Sequence, residues 1–90
     1  MRTRILNKQQ FEINQMRLLI YEQGNKLLII TGDKAICQSA SGRIEEKIFS
    51  SVSASRLYAA FIKHFYPEFM RISRSKYPQR INTILKIKQA

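Results

Sequence analysis

The chain has 90 residues, of which 44% are hydrophobic, and 16 Lys and Arg against six Asp and Glu give it a formal net charge of +10. This length fits one domain with a thin core, and the hydrophobic content excludes an intrinsically disordered chain. The longest apolar runs, residues 18–21 and 27–30, are far too short to span a bilayer. The excess of positive charge points to polyanionic partners, which are DNA, RNA or an acidic protein surface.

The cysteine content and the first residues indicate a compartment. Cys37 is the only cysteine, which rules out an intrachain disulfide and is typical of a reducing cytoplasm. Arg2 and Arg4 resemble the start of a signal peptide, but polar residues 7–10 stand where the apolar segment of such a peptide would follow. We therefore expect a cytoplasmic protein with no membrane segment.

An antiparallel β-meander is predicted for residues 10–39. Two residue pairs, Gly24-Asn25 and Gly32-Asp33, separate runs that are rich in branched and aromatic side chains. Glycine at the first of two central turn positions suits a tight hairpin, because it takes positive φ without steric cost. The predicted strands lie at about 16–23, 26–31 and 34–38.

The first of these strands is predicted to extend upstream. Phe11 and Ile13 alternate with polar neighbours, which places its start near residue 10. Residues 2–6 could form a further edge strand. The alternative is a single helix over 9–21, but two glycine turns with short flanking runs favour the sheet.

Residues 43–88 are predicted to be helical, with a basic C-terminal part. After a break at 39–42, apolar residues recur at helical spacing. A helix through "RLYAAFIKHFY" follows, with Ser53 or Ser55 as its N-cap. The apolar residues that indicate the first helical segment are Ile44, Ile48, Phe49 and Val52. The second helix carries the strongest apolar stripe of the chain, which we expect to lie in the core: Leu57, Tyr58, Phe61, Ile62 and Phe65. The alternative is a platform for stacking on bases, formed by Tyr58, Phe61, Phe65, Tyr66 and Phe69, but aromatic residues at helical spacing are more often core.

Two prolines mark the later boundaries. Pro67 and Pro78 each follow a tyrosine, and proline is tolerated in the first turn of a helix. This predicts two short helices, at about 68–76 and 79–88. A cis bond at either proline would swing the basic segment to another angle, so both are candidates for a conformational switch. The default expectation is that both bonds are trans and simply start helices.

The predicted fold class is α+β, a small antiparallel meander of three or four strands followed by two to four C-terminal helices. These elements form a single domain over 1–90. Because the core of such a domain is thin, a homodimer or a hetero-complex would add useful buried surface.

Most catalytic chemistry is not supported by the composition. His64 and Cys37 are the only residues of their kinds, whereas a zinc site usually needs four ligands. Adjacent Glu45 and Glu46 would diverge by about 100° on a helix and could not form a facing pair. We expect no enzyme, no metal and no cofactor. The remaining catalytic alternative is a metal-independent ribonuclease that uses His64 with Arg, Lys and Tyr.

The last third of the chain is the main candidate binding surface. Residues 69–90 contain six Lys or Arg and no Asp or Glu. Phosphates bind Arg and Lys, and an aromatic ring can stack on an unpaired base. The alternative is that these residues form a solvated basic face with no binding role. The candidate contact residues are Arg71, Arg74, Lys76, Tyr77, Arg80, Lys86 and Lys88, with help from Arg56 and Lys63.

These patterns predict a small basic protein that binds nucleic acid, mostly through phosphates. The alternative is a small basic inhibitor or adaptor, of the kind that phages and plasmids encode, which docks on a larger host enzyme. A ribonuclease toxin is the third hypothesis. An uninterrupted positive groove would favour nucleic-acid binding, whereas an apolar patch beside the basic face would favour docking.

Overall fold

A five-stranded antiparallel sheet forms the centre of the fold. The computed structural model describes residues 17–89, with side chains up to Ile87. The strands follow the order β4-β3-β2-β1-β5 across the sheet. They are β1 Leu19–Gln23, β2 Lys26–Thr31, β3 Lys34–Gln38, β4 Ile44–Ile48 and β5 Met70–Ile72. The helices are α1 Val52–Phe65, a 3-10 helix Arg74–Lys76 and α2 Pro78–Gln89. The predicted α+β class, a meander followed by helices, is confirmed.

The two glycine turns set the register of the meander. Gly24 has a φ of 57° and Gly32 a φ of 55°, and no non-glycine residue in the described part of the chain has positive φ. Positive φ at the first central position alone is the pattern of a type II′ turn, whose twist matches that of the flanking strands. The three predicted strands are confirmed, while the predictions for residues 2–6 and 10–16 lie outside the described residues.

The two helices pack on opposite faces of the sheet. Because both faces of the sheet are covered, every residue of β2 from Leu27 to Thr31 is buried, rather than only every second residue. The core on the α2 face consists of Ile20, Leu27, Ile29, Ile36, Ile81, Ile84 and Leu85. The core on the α1 face consists of Tyr21, Leu28, Ile30, Ala35, Ala59 and Ile62.

Residues 44–48 form edge strand β4, so the helix predicted from Ile44, Ile48, Phe49 and Val52 is wrong. β4 pairs with β3 in antiparallel register, with Ile44 opposite Gln38 and Glu46 opposite Ile36. Four of its five residues are exposed. A charged, solvated edge strand carries little period-two signal, and charges of this kind protect an edge from pairing with other chains.

Residues 68–76 were predicted to form a helix, and this too is wrong. After Pro67 the chain turns, enters β5 and pairs with the open edge of β1, with Arg71 opposite Tyr21 and Ile72 opposite Ile20. The 3-10 helix Arg74–Lys76 follows. Pairing with β1 satisfies backbone hydrogen-bonding groups on both strands, which a short isolated helix would not do.

Helix α1 begins earlier than predicted. Its N-cap is Ser51, whose hydroxyl accepts a hydrogen bond from the amide of Ala54 at 3.0 Å, so the assignment to Ser53 or Ser55 is wrong. Ser55 lies inside the helix and is 1% exposed. Its hydroxyl donates to the carbonyl of Gly32 at 2.6 Å, which ties α1 to the β2–β3 turn. Helix α2 begins at Pro78, close to its predicted start at 79.

Candidate polyanion-binding surface

The C-terminal basic residues do not form one surface. Arg71, on β5, lies on the α1 side of the sheet beside Tyr21. Lys76 and Arg80 lie on the α2 side, where they contact Glu22 and Gln38. The sheet therefore separates residues that are close in sequence, because successive elements of this segment turn to opposite faces.

Lys76 and Tyr77 are bound to a carboxylate of the sheet. The Lys76 Nζ lies 2.7 Å from Oε1 of Glu22, and the Tyr77 hydroxyl donates to Oε2 of the same residue. Hydrogen bonds from Lys76 and Tyr77 hold the pKa of the Glu22 carboxyl below its ordinary value. The same bond to Glu22 raises the pKa of Lys76. These two candidate contact residues thus fasten the 3-10 segment to β1.

Arg80 also has partners within the fold. Its Nε donates to Oε1 of Gln38 and a terminal guanidinium nitrogen donates to the carbonyl of Asn25, each at 2.5 Å. The side chain is half-buried, so Arg80 does not belong to a fully solvated basic face. Its contacts fasten α2 to the β1–β2 turn and to β3.

The other candidate contact residues in 69–90 lie in different elements of the fold. Arg74 is half-buried in the 3-10 helix, and Lys86 is exposed on α2. Lys88 belongs to α2, but its side chain lies outside the described residues.

Three arginines from distant segments converge on a cleft of about 650 Å³ on the α1 side. Arg17 precedes β1, Arg56 lies in the first turns of α1 and Arg71 lies on β5. All three are exposed, and none is within ion-pair distance of a carboxylate of the described residues. The remaining lining residues are Leu18, Leu19, Ile30, Thr31, Gly32, Val52 and Ser55. We call this site the arginine cleft.

Lys63 extends the positive charge along α1. It follows Arg56 by seven residues, so the two side chains project from the same flank of the helix, two turns apart. Both are exposed. Arg56, Lys63 and Arg71 were predicted from the sequence, whereas Arg17 was missed because nothing local links it to α1 or β5. Its position next to the first apolar run was the one available signal.

A row of apolar side chains on α1 faces solvent. Leu57 is 72% exposed, Phe61 46%, Phe65 60% and Tyr66 43%. The Phe61 ring centroid lies 4.7 Å from that of Phe65 and 5.9 Å from that of Tyr66. The prediction that Leu57, Phe61 and Phe65 lie in the core is wrong, because the smaller residues Ser55 and Ala59 face the sheet together with Ile62. We call Leu57, Phe61, Phe65 and Tyr66 the α1 ridge.

The residues considered for catalysis are scattered. The His64 ring packs edge-on against Phe65, with centroids 4.6 Å apart, on the outer side of α1. Cys37 is half-buried on the α1 face, and burial raises the pKa of its thiol. Within the described residues, no group of three or more His, Cys, Asp and Glu could hold a metal ion.

The peptide bonds before Pro67 and Pro78 are both trans. The expectation of trans bonds is confirmed, and Pro78 begins a helix as expected. Pro67 is followed by a turn and β5, so the expectation that it starts a helix is wrong. The role of the two bonds as a switch stays a prediction. In residues 17–89, neither helix has the length and apolar character needed to cross a bilayer.

Comparison of the chain with protein-family models, with curated proteins and with solved structures finds no match. The surface features that bear on function are the arginine cleft and the α1 ridge.

Proposed function

We propose that the protein binds nucleic acid through its phosphates, with Arg17, Arg56 and Arg71 of the arginine cleft as the principal contacts and Lys63 beside them. The observation that carries this proposal is the convergence of three exposed arginines, from three segments of the chain, without a carboxylate partner among the described residues. A guanidinium group binds phosphate oxygens in a bidentate manner and holds its charge at any physiological pH.

The electrostatics of the whole chain support this proposal. A net charge of +10 on 90 residues attracts polyanions over long range and accelerates their association. Phosphate contacts release condensed counterions from the nucleic acid, which supplies most of the affinity of binding that is independent of sequence. The cleft offers charged donors rather than a row of groups that would read base edges, so we expect little sequence preference.

Fluorescence anisotropy with labelled oligonucleotides at low salt tests the proposal. The variant Arg56→Ala/Arg71→Ala should bind at least tenfold more weakly than the wild type. The control, Arg43→Ala/Lys86→Ala, also removes two exposed positive charges but leaves the cleft intact. Arg43 lies 3.4 Å from Glu45, but both side chains are more than two-thirds exposed, so solvent and salt largely screen this pair. The control should retain most of the affinity. Equal losses in the two variants would show that net charge, not the cleft, governs binding.

A second candidate function is supported by the α1 ridge. An exposed apolar row beside Arg56 and Lys63 is the feature expected of a small adaptor or inhibitor that docks on the acidic surface of a larger protein. Affinity purification with and without nuclease separates the two functions. Docking predicts a specific partner that survives nuclease treatment and is lost with Leu57→Ser, whereas nucleic-acid binding predicts that co-purified material disappears with nuclease.

A further inference from the structure

The rings of the α1 ridge are not used by the hydrophobic core. Helix α1 packs on the sheet through Ser55, Ala59 and Ile62, each no more than 5% exposed. Phe61, Phe65 and Tyr66 instead contact one another across the outside of the helix, with ring planes tilted by 40° and 52°. Large aromatic side chains left in water on one helix face indicate a binding surface.

Positive charges stand on both sides of this ridge. On one side, Lys47 lies 5.6 Å from the centroid of the Tyr58 ring, and Tyr58 lies one turn before Phe61 on the helix. On the other side, Arg56 and Lys63 project from the opposite flank of α1.

The helix itself contains no Asp or Glu. Glu45 lies beside Lys47 on the flank of that lysine, where it is exposed and 3.4 Å from Arg43. An occupant of the ridge therefore meets apolar rings in the middle, Arg56 and Lys63 at one edge, and Lys47 with a nearby carboxylate at the other.

Two other possible occupants of the ridge, a second copy of the chain and a different protein, fit these observations less well. A second copy of the chain, paired through α1, would bring Arg56 and Lys63 of each copy toward like charges, and the helix has no acidic residue to compensate. A stable protein interface buries about 800 Å² on each partner and uses roughly 20–30 residues a side. The ridge consists of four side chains on one helix.

We infer that the three rings of the α1 ridge, Phe61, Phe65 and Tyr66, form a stacking platform for unpaired bases, so that the nucleic acid bound by the protein is single-stranded. Leu57 has no ring and is not part of this platform. Bases of a single strand would stack on Phe61, Phe65 and Tyr66, while its phosphates reach the cations at the edges of the ridge and in the arginine cleft. Stacking on aromatic rings is tolerant of sequence because every base has a π-face. Duplex offers no free base faces and would use the cations alone. The inference rests on the proposed function and assigns it a substrate class.

A pair of ridge variants separates stacking from apolar docking. Phe61→Leu/Phe65→Leu removes the π-faces but keeps the ridge apolar, whereas Leu57→Ser interrupts the apolar row but keeps every ring. Binding of each variant is measured by anisotropy to a labelled twelve-nucleotide deoxythymidine strand, to an equal uridine strand and to a duplex of the same length. We expect the leucine variant to bind the single strands about tenfold or more weakly with duplex affinity unchanged, and Leu57→Ser to bind as the wild type does.

The controls keep failure of the inference distinct from failure of the proposed function. If the leucine variant binds single strands as the wild type does while Arg56→Ala/Arg71→Ala binds weakly, the stacking inference is wrong and the phosphate-binding proposal stands. If the wild type binds none of the three probes at low salt, the proposed function is wrong. If Leu57→Ser dissociates a dimer or abolishes capture of a protein partner while oligonucleotide binding persists in the leucine variant, the ridge is a protein interface. Thermal melts should show all variants folded, because the substituted residues are exposed.

Discussion

The contacts of Glu22, Asn25 and Gln38 determine what several basic residues near the C-terminus do. Glu22 binds Lys76 and Tyr77, while Asn25 and Gln38 bind Arg80. In sequence these cations look like part of a continuous binding block, yet in the fold they attach the last helix to the sheet. The residues available to an anionic ligand are those whose charge has no such partner among the described residues, above all Arg17, Arg56 and Arg71.

Arg80→Ala should lower the free energy of unfolding by about 1–2 kcal/mol, because its two hydrogen bonds are lost and the acceptor on Gln38 is left half-buried. Arg56→Ala, which removes an exposed arginine of the cleft, should change it by about 0.5 kcal/mol or less. Urea denaturation of both variants measures the difference. Equal stabilities would show that the Arg80 contacts contribute little.

Glu22→Gln should destabilise the protein at neutral pH but not in acid. A carboxyl whose pKa is lowered on folding contributes stability above its ordinary pKa of about 4.3, and this contribution is lost as the pH falls through the lowered value. Melting temperatures of wild type and variant should therefore differ at pH 7, and the difference should shrink as the pH falls below the ordinary pKa of a glutamate. Glu68→Gln, at an exposed position outside this network, serves as the control and should match the wild type at pH 7. A Glu22→Gln difference that is constant with pH would contradict this role for Glu22.

At the scale of elements, local signals predicted local structure. The two hairpins and the start of α2 follow from turn glycines and a proline, whose backbone preferences act within a few residues. The edge strands β4 and β5 could not be predicted in this way, since their structure comes from pairing with β3 and β1.

The rotation of α1 was predicted wrongly for a different reason. Two stripes run along this helix at suitable spacing, one of large residues such as Leu57 and Phe61, and one of small residues, Ser55 and Ala59, that ends in Ile62. A prediction of the buried face that gives more weight to large apolar side chains favours the first stripe. The sheet accepts the second, because small side chains allow the helix to approach closely enough for Ser55 to reach the carbonyl of Gly32. The candidate site was accordingly predicted only in part, through Arg56, Lys63 and Arg71.

Ser55→Ala should destabilise the protein by about 1 kcal/mol, because it leaves the carbonyl of Gly32 without the bond that links α1 to the β2–β3 turn. Ser53→Ala is the matched control, since this serine is exposed on the same helix, and it should change stability by about 0.5 kcal/mol or less. Thermal or chemical denaturation compares them. A neutral Ser55→Ala would mean that apolar packing alone holds α1 in place.

At the scale of the whole molecule, the sheet divides the positive charge into two parts with different roles. On the α2 side, Lys76 and Arg80 are used to attach the C-terminal segment to the sheet. On the α1 side, the arginine cleft and the flank of α1 carry exposed cations next to exposed rings. Only the α1 side combines both features in the described part of the chain, so we expect the proposed binding to occur on that side.

Salt dependence should show how many phosphates this side neutralises. For a single strand, the logarithm of the affinity falls with the logarithm of salt concentration by about 0.7 per phosphate contact. Arg56→Ala/Arg71→Ala removes two contacts and should reduce that slope by about 1.4. Anisotropy titrations at several salt concentrations give the slopes. An unchanged slope in this variant, or an equal reduction in Arg43→Ala/Lys86→Ala, would show that the contacts lie elsewhere.

Amide chemical-shift mapping by NMR, during titration with a short single-stranded oligonucleotide, shows whether the ligand lies on the α1 side. We expect the largest shifts around Arg17, in α1, at Gly32 and in β5, with little change in the exposed turns of α2. Shifts centred on α2 and the 3-10 helix Arg74–Lys76, or no shifts at a ligand concentration that saturates the anisotropy signal, would contradict binding on the α1 side.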